Sequence, residues 1–375
     1  MIPLCDPDRC RAAGCSATVC VGAGLPSNDE FFERSTAVIP GGVNSSIRAF
    51  SSVGGRPYVV ARAEGARVWD VEGTEYVDLV QSYGAVILGH AHPAITAAVG
   101  QAATGGTSYG APTPREMKLA EAIAERVNSC EQVRFMNSGT EATSTAVRLA
   151  RGATGRDRVV IFHGNFHGAT DALLAAGGSG VATLGLPGTA GVPAGAVAET
   201  MVVPYNVVPR LDESVACVIV EPVAANMGVI APEPGFLEGL RAECDRVGAV
   251  LIFDEVITGF RLGTGGAQAK YDVWPDLTTF GKVIGGGLPI GAVGGPRDLM
   301  ETLTPLGTVF HAGTLSGNPI ATAAGLAALD LLDGDVYMEL MARARHFSAL
   351  MRDACAAAGF PAQFPVVNTL VGMVC

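Results

Sequence analysis

The chain shows two hydrophobic patterns in succession. From Tyr58 to Leu79, short apolar runs alternate with polar residues and are separated by Gly65 and Gly73, which predicts a small antiparallel meander. Beyond Gly89, Ala-rich stretches with helical spacing alternate with short β-branched runs. This alternation predicts an α/β fold whose sheet is mostly parallel and carries helices on both faces. Functional side chains are then expected in loops at the carboxyl ends of the strands.

Residues before the meander and residues near the end of the chain also predict helices and a strand. Ser27 begins a capping pattern ahead of a short amphipathic helix that Pro40 ends. Residues 320–333 and 336–358 have helical spacing, and residues 369–375 form an apolar run. We therefore predict two late helices and a last strand that has no following element to pair with it.

The length favours more than one domain, because 375 residues exceed the size at which a single core comfortably grows. We expect an N-terminal extension (1–26), the N-terminal part of a small domain (27–85), a large α/β domain (86–330) and the start of a C-terminal part of the small domain (331–375). The irregular glycine-rich stretch 175–193 is a candidate mobile loop over a site, or else an inert surface loop.

Composition argues against several classes of function. The chain has 25 Lys+Arg against 36 Asp+Glu and no basic run, which argues against a nucleic-acid partner. Gly, Pro or charged residues cut every apolar stretch before it reaches about 18 residues, and the first residues lack a signal pattern, so we predict a soluble cytoplasmic protein without a membrane span. Four cysteines repeat every five residues near the start, at Cys5, Cys10, Cys15 and Cys20. They form no C-x-x-C pair and have no His nearby, which favours a disordered extension over a metal site.

Charged residues interrupt two otherwise apolar stretches. Asp254 and Glu255 end the run that begins at Leu251, where a buried carboxylate needs a positive partner. Lys282 stands among apolar and glycine neighbours, so that burial would lower its pKa and favour the neutral amine needed for a Schiff base. Taken singly, Asp254 could cap the next loop and Lys282 could be a surface lysine. Together they predict groups that serve opposite ends of one pyridine ring.

A third motif is suited to a phosphate group. The residues from Ser138 to Thr140 stand at a strand-to-helix turn, where they offer backbone N–H groups, two hydroxyls and the positive end of a helix dipole. Ser138 and Glu141 also fit an ordinary capping box, and both interpretations can hold together. A phosphate site, a pyridinium partner and an amine nucleophile together predict pyridoxal 5′-phosphate as the cofactor.

Two further loops could complete this site. The loop His163–Gly168 follows a strand, where Phe166 could stack on the cofactor ring and His167 could orient its neighbours. Taken alone, Phe166 is equally compatible with a place in the core. The loop His311–Pro319 precedes a helix and could supply another hydroxyl to a phosphate, or Asn318 could simply cap that helix.

Seven motifs spread along the chain carry a resemblance to a known family. They stand at Pro40–Phe50, Gly89–Pro93, Asn137–Ala142, Gly180–Pro187, Asp254–Arg261, Gly281–Gly287 and Ala312–Pro319. The Lys, Asp and Ser-Gly-Thr motifs resemble those of class-III aminotransferases in general. The stretches Pro40–Phe50 and Gly180–Pro187 are closer to the glutamate-1-semialdehyde 2,1-aminomutases, which the chain resembles from about Phe31 to its last residue.

The resemblance implies a fold-type I homodimer that binds pyridoxal 5′-phosphate, cycling with pyridoxamine 5′-phosphate, at the subunit interface. It implies an isomerase that moves an amino group within (S)-4-amino-5-oxopentanoate, or glutamate-1-semialdehyde, to give 5-aminolevulinate for tetrapyrrole (porphyrin) biosynthesis. Two alternatives stay open. One is an ordinary class-III aminotransferase acting on an ω- or β-amino compound, and the other is an inactive fragment that binds the cofactor without turnover.

Roles for residues around the cofactor also follow from the resemblance. Lys282 is implied to be the Schiff-base lysine and proton shuttle, and Asp254 to bind the pyridinium nitrogen. Phe166 takes the stacking position, which is commonly Tyr in the family, so a hydroxyl is lost there. The cofactor phosphate is implied to lie among Ser138, Gly139 and Thr140.

Other roles implied by the resemblance concern the substrate and the partner subunit. Arg48 is implied to bind the substrate carboxylate bidentately, and Tyr83 to line the substrate pocket. Asn226 would lie near the phenolic oxygen of the ring, and Thr314 would reach the cofactor phosphate of the partner subunit. Residues 175–193 would form the gating loop. The family's C-terminal domain continues beyond the last residue here, so we expect the small domain to be incomplete.

Overall fold

The computed structural model describes residues 26–175 and 189–375 of the chain. Outside the described residues lie Cys5, Cys10, Cys15, Cys20, the motif Gly180–Pro187 and most of the predicted gating loop 175–193. The chain divides into two compact units. One ends at Tyr83 and includes Leu88–Pro93, and the other comprises Gly84–Ile87 and Ala94–Cys375. The further boundary that we expect near residue 331 stays a prediction.

The described residues of the first unit form an α-helix and a small antiparallel sheet. Its elements are α1 (Asn28–Thr36), β1 (Val60–Glu64), β2 (Arg67–Asp70) and β3 (Glu75–Val77), with the strands in the order β1-β2-β3. Ser27 caps α1 in a full capping box with Glu30, as the sequence predicts. The buried Asp70 carboxylate accepts hydrogen bonds from Asn28 Nδ2 at 3.0 Å and Tyr76 Oη at 2.9 Å, which joins the helix to the sheet. The predicted meander is therefore confirmed.

The second unit is organised around a seven-stranded sheet. Its strands are β4 (Gln132–Met136), β5 (Arg158–Phe162), β6 (Thr200–Val203), β7 (Val215–Val220), β8 (Val250–Asp254), β9 (Leu277–Gly281) and β10 (Gly291–Gly295). They lie in the order β4-β10-β9-β8-β7-β5-β6. Neighbours from β9 to β6 pair in parallel, and only β10 runs antiparallel to its neighbours β9 and β4. The prediction of a mostly parallel sheet is confirmed.

Helices follow the strands along the chain. They are α2 (Pro93–Thr104), α3 (Pro114–Ala124), α4 (Gly139–Thr154), α5 (Ala194–Val197), α6 (Phe236–Val247), α7 (Gly266–Tyr271), α8 (Arg297–Met300), α9 (Pro319–Leu331) and α10 (Gly334–Ala357). Within residues 26–175 and 189–375, no helix is long and apolar enough to cross a membrane.

The sheet is buried on both faces, as expected for parallel strands. Alternate residues of the central strands point to opposite sides. Ile219 and Ile252 pack with α4 in one core cluster, whereas Val218 and Leu251 pack with α6 in another. The predicted helices on both faces are confirmed. The carboxyl ends of β7, β8 and β9 consequently open at one edge between the two helical layers.

The end of the described chain departs in one respect from the prediction. The two late helices form within one or two residues of the predicted bounds, because Asn318 and Asp333 cap α9 and α10. The predicted strand 369–375 is shorter than expected. Strand β12 (Leu370–Val371) pairs with the preceding β11 (Val366–Val367), so its partner comes before it in the chain.

Candidate active site

A cavity of about 420 Å³ opens at the carboxyl ends of the central strands. It lies where the end of β8 and the turn after β9 meet the start of α4. Six of the residues that sequence reasoning assigned to a cofactor line it together: Ser138, Gly139, Thr140, Phe166, Asp254 and Lys282. Residues distant in sequence therefore share one site in the position expected for an α/β fold.

Asp254 is held in a fixed orientation at the end of β8. Its side chain is 4% exposed. Oδ2 accepts a hydrogen bond from Nδ1 of His167 at 2.7 Å, while Oδ1 accepts from Thr279 Oγ1 and from the backbone N–H of Val256, both at 3.1 Å. The hydrogen-bond partner of Oδ2 is thus an imidazole that is 2% exposed, and a positive partner for this carboxylate stays a prediction. A carboxylate held from three directions can present its charge to a ring nitrogen without reorganising.

Lys282 follows directly after β9 and has an unusual backbone. Its φ of +46° is left-handed, a conformation that costs a non-glycine residue roughly 1–3 kcal/mol and is common at functional sites. Burial lowers the pKa of the Lys282 amine, and the charge of Arg261 lowers it further, while Asp254 and Glu221 act in the opposite direction. The surroundings therefore shift the Lys282 amine toward its neutral, nucleophilic form.

The amino end of α4 is suited to a phosphate group. The hydroxyl of Ser138 accepts the N–H of Glu141 at 3.2 Å, so Ser138 caps the helix as the alternative interpretation predicted. The capping box is incomplete, because the Glu141 carboxylate accepts the N–H of Asn137 at 2.9 Å instead of that of Ser138. The first N–H groups of a helix have no acceptor within it, and Gly139 and Thr140, the first two residues of α4, line the cavity.

Close glycine packing brings backbone up to this helix end. A Cβ on Gly168, whose φ is +83°, would lie 2.4 Å from Oγ1 of Thr140. A Cβ on Gly291 would lie 2.1 Å from the carbonyl oxygen of Ser138. Neither position can take a larger residue without displacing the turn at the start of α4. These glycines therefore allow the close packing that keeps this turn in place.

Phe166 and Glu221 form a second supported group. The ring of Phe166 is 41% exposed and lines the cavity, so Phe166 is not a core residue in this chain. Its backbone N–H donates to Oε1 of Glu221 at 2.6 Å. Glu221 is 3% exposed and also lines the cavity, and burial raises the pKa of its carboxyl to about 7. A planar ring in the cavity would meet the exposed face of Phe166.

Sequence reasoning gave no role to Glu221, although a signal was present. The apolar run Val215–Val220 ends in an acid, as the run before Asp254 does. A strand-final acid in an adjacent parallel strand is expected at the same edge of the sheet. The same logic that selected Asp254 would therefore have selected Glu221.

The group of residues fits pyridoxal 5′-phosphate. The helix end of α4 can bind the phosphate, Asp254 can bind a protonated ring nitrogen, Phe166 offers an aromatic face and Lys282 supplies an amine. A cavity of about 420 Å³ has the size expected for a small-molecule or cofactor site. The residues present thus match each functional group of that cofactor.

The other predicted site residues lie elsewhere in the chain. Arg48 is exposed in a short 3₁₀ turn, and Tyr83 has a left-handed backbone with φ of +55° and a side chain that is 44% exposed. Asn226 and Thr314 belong to the same compact unit as the cavity but are not among the described residues that line it. The buried Nδ2 of Asn226 has no hydrogen-bond partner within residues 26–175 and 189–375. The roles of these four residues stay predictions.

Comparison with known proteins agrees with the geometry. The model of the family described as aminotransferase class-III matches residues 50–361. The chain is 56% identical over 353 residues to the glutamate-1-semialdehyde 2,1-aminomutase of Desulfovibrio desulfuricans, an alignment that covers 92% of this chain and 83% of that protein.

Solved structures give the same result for the fold. An ω-transaminase from Sphaerobacter thermophilus is similar with a TM-score of 0.85 and 35% identity, over 93% of this chain and 83% of that chain. A glutamate-1-semialdehyde aminomutase from Pseudomonas aeruginosa PAO1 in complex with PMP is similar with a TM-score of 0.81 and 27% identity, over 92% of this chain and 80% of that one. On the family match, the sequence identity and the shared fold, the chain belongs to the class-III aminotransferase family.

Proposed function

We propose that this protein is a pyridoxal-phosphate-dependent isomerase that converts (S)-4-amino-5-oxopentanoate, or glutamate-1-semialdehyde, into 5-aminolevulinate for tetrapyrrole biosynthesis. The observation that carries the proposal is the cavity shared by Lys282, Asp254 and the amino end of α4, in a chain more than half identical to an aminomutase. Family membership gives the cofactor chemistry, and the identity gives the substrate.

The residues around the cavity divide the work in this reaction. When bound, pyridoxal phosphate supplies an electron sink that stabilises negative charge on the substrate carbon, and its pyridoxamine form carries the amino group. Asp254, held by His167, keeps a proton on the ring nitrogen. Lys282 gives and removes protons at the reacting carbon, a task for which its lowered pKa suits it. The N–H groups at the start of α4 bind the phosphate dianion and fix the position of the ring.

The remaining assignments rest on resemblance to the family. Arg48 binds the substrate carboxylate and Tyr83 lines the substrate pocket. Asn226 lies near the ring's phenolic oxygen. Thr314 serves the cofactor of a partner subunit, since we propose a cytoplasmic homodimer with shared active sites.

An ordinary class-III aminotransferase is the second candidate. The 35% identity to an ω-transaminase supports it. This support is weaker, because the identity to an aminomutase is 56%. The two candidates differ in one requirement. An aminotransferase needs a separate keto acceptor for every turnover, whereas an aminomutase returns the amino group to the molecule that donated it.

The test uses the purified full chain with pyridoxal phosphate. Absorbance is recorded before and after glutamate-1-semialdehyde is added, and 5-aminolevulinate is assayed without any keto acid. We expect a visible absorption band and product formation in the wild type, and loss of both in Lys282→Ala, with activity reduced by about 10⁴-fold or more. Lys118→Ala removes an exposed lysine of α3 and serves as the matched control.

Each outcome decides between the candidates. Product that forms only after a keto acid is added would favour the ordinary aminotransferase. A lysine-dependent band without product under either condition would favour an inactive cofactor-binding chain. An unchanged band in Lys282→Ala would contradict the assignment of Lys282 itself.

A further inference from the structure

Arg261 lies in an unusual electrostatic position for a buried cation. Its side chain is 4% exposed. The residue follows the apolar Phe260 in the loop after β8. Within residues 26–175 and 189–375, no carboxylate lies within ion-pair distance of its guanidinium, and the buried Nε has no hydrogen-bond partner. Burying a charge without a partner is costly, so such a residue needs an explanation other than stability.

Side chains from the C-terminal part of the chain donate hydrogen bonds to the backbone around Arg261. The hydroxyl of Tyr337 donates to the carbonyl of Phe260 at 2.7 Å, and the hydroxyl of Thr369 donates to that of Arg261 at 2.6 Å. Nδ2 of Asn368 donates to the next carbonyl at 2.5 Å. Three successive carbonyls are therefore fixed by side chains from α10 and from the turn between β11 and β12.

The side chains of Arg261 and Lys282 both approach Gly84. Nη2 of Arg261 donates to the Gly84 carbonyl at 2.8 Å. A Cβ on Gly84, whose φ is +95°, would lie 3.6 Å from Nε of Arg261 and also 3.6 Å from Cδ of Lys282. The two cationic side chains thus border the same small space, and Gly84 leaves that space open because it has no side chain.

We propose that Arg261 is a positioning residue for the Lys282 amine, which it serves by placing a permanent positive charge beside the lysine and by anchoring the Gly84 peptide. The inference rests on the proposed function only for the use of Lys282 as a nucleophile. A nearby like charge disfavours the protonated form of an amine. Arginine suits this task, because burial lowers the pKa of Arg261 only to about 10, so the side chain stays charged at neutral pH.

The charged groups around Lys282 and Arg261 act on the pKa of the Lys282 amine in opposite directions. Asp254 from β8 and Glu221 from the end of β7 favour the charged form of Lys282, and they would raise its pKa if nothing opposed them. Burial opposes them most strongly, and the charge of Arg261 adds a smaller contribution in the same direction. On the other side, Tyr337 from α10 faces Arg261, and burial raises the pKa of that phenol, so it stays neutral. Arg261 is consequently the one permanent cation among the groups acting on Lys282 in the described chain.

The experiment measures the amine itself in the cofactor-free full chain. Trace labelling with acetic anhydride across a pH series, read by mass spectrometry on the peptide that contains Lys282, gives the midpoint at which the amine becomes reactive. In Arg261→Met we expect this midpoint to rise by about one pH unit, which is a tenfold loss of neutral amine below the midpoint. Arg261→Lys keeps the charge and should stay close to the wild type.

Two further variants complete the design. Arg261→Gln lacks the charge but keeps a donor for the Gly84 carbonyl, and it should shift the midpoint as Arg261→Met does. Arg156→Met is the matched control, because Arg156 also donates to backbone carbonyls, those of Val215, Val247 and Gly248, but at the opposite ends of the strands. Its midpoint should equal that of the wild type. Circular dichroism and thermal unfolding verify that each variant is folded.

The inference is overturned if folded Arg261→Met or Arg261→Gln has the wild-type midpoint, or if Arg261→Lys shifts as far as they do. The labelling needs no substrate, so its result is separate from that of the 5-aminolevulinate assay. A shifted midpoint in a protein that makes no 5-aminolevulinate would leave this inference standing and contradict the proposed function.

Discussion

Two consecutive acids at the end of β8 serve different regions of the molecule. Asp254 is 4% exposed and faces the cavity, while Glu255 is 1% exposed and faces α7. The Glu255 carboxylate accepts four hydrogen bonds, from Thr258 Oγ1, the N–H groups of Ala267 and Gln268, and Gln268 Nε2, at 2.5–3.2 Å. All four donors to the Glu255 carboxylate come from the protein itself.

Burial alone does not distinguish a structural acid from a functional one. Both carboxylates are buried and both are hydrogen-bonded. The difference lies in what surrounds them, since Asp254 borders a cavity and is backed by an imidazole whose Nε2 has no partner within the described residues. A structural acid has its partners in the fold, whereas a functional acid retains capacity for a ligand.

Replacing the cavity-facing acid gives the largest expected effect. In Asp254→Asn, we expect turnover to fall roughly a thousand-fold, because a fixed charge aimed at the reacting group is lost. The melting temperature should change little, since an amide oxygen can still accept from Thr279 and Val256. Steady-state assays of 5-aminolevulinate formation and differential scanning calorimetry measure the two quantities.

Glu255→Gln is the matched control for that variant. Its amide nitrogen would face a donor, so we expect a loss of about 2–3 kcal/mol in the free energy of unfolding. Activity of the folded fraction should stay near that of the wild type. The comparison fails if Glu255→Gln loses activity without losing stability, or if Asp254→Asn does the reverse.

Glu221, the acid that follows β7, should make protein stability depend on pH. Burial raises the pKa of Glu221 from 4.5 to about 7, so between these values the folded state binds more protons than the unfolded state. Its contribution to stability is therefore lost as the pH rises through about 7. Both Glu221 oxygens accept a backbone N–H, from Phe166 and from Ala225, so Glu221→Gln loses one acceptor at every pH. It cannot ionise, however, so its stability relative to the wild type should rise by about 2 kcal/mol from pH 5 to pH 8. Urea unfolding at both pH values tests this, and equal differences at the two would contradict it.

The smallest expected effect concerns two hydroxyl caps. Ser138 caps α4 at the cavity and Thr113 caps α3, each accepting an N–H in the first turn. Replacing either with Ala should cost about 1 kcal/mol of stability. Only Ser138→Ala should also weaken the binding of pyridoxal phosphate, by about tenfold, because its hydroxyl is proposed to contact the phosphate. Equilibrium titration of the cofactor with both variants would reveal equal affinities if Ser138 serves only as a cap.

Much of the fold could be predicted, because the period of the apolar residues changes where the architecture changes. The meander and the parallel sheet follow from alternation and from β-branched runs, and Lys282 and Asp254 are recognisable because charge interrupts those runs. The strand 369–375 was predicted too long. Its turn uses a left-handed Asn368, and the partner strand of two residues leaves no periodic signal.

Contacts between distant residues could not be predicted from local pattern. The hydrogen bond from His167 to Asp254 joins residues 87 positions apart, and it depends on the order of strands in the sheet. Arg261 stands in a loop motif where nothing local shows that it is buried without an anion. Glu221 was missed for a different reason. The sequence shows an acid directly after an apolar run, but only the position of β7 beside β8 places that acid near Asp254.

The pairing of β4 with β10 has a consequence for synthesis of the chain. Met136 lies opposite Gly291, so the partner of β4 is made roughly 150 residues after β4 itself. At about 5–20 residues per second, a ribosome needs on the order of 8–30 s to deliver it. During that interval the nascent chain presents the turn at Ser138–Thr140 beside an unpaired strand edge, which is where we expect chaperones to bind before the sheet is complete.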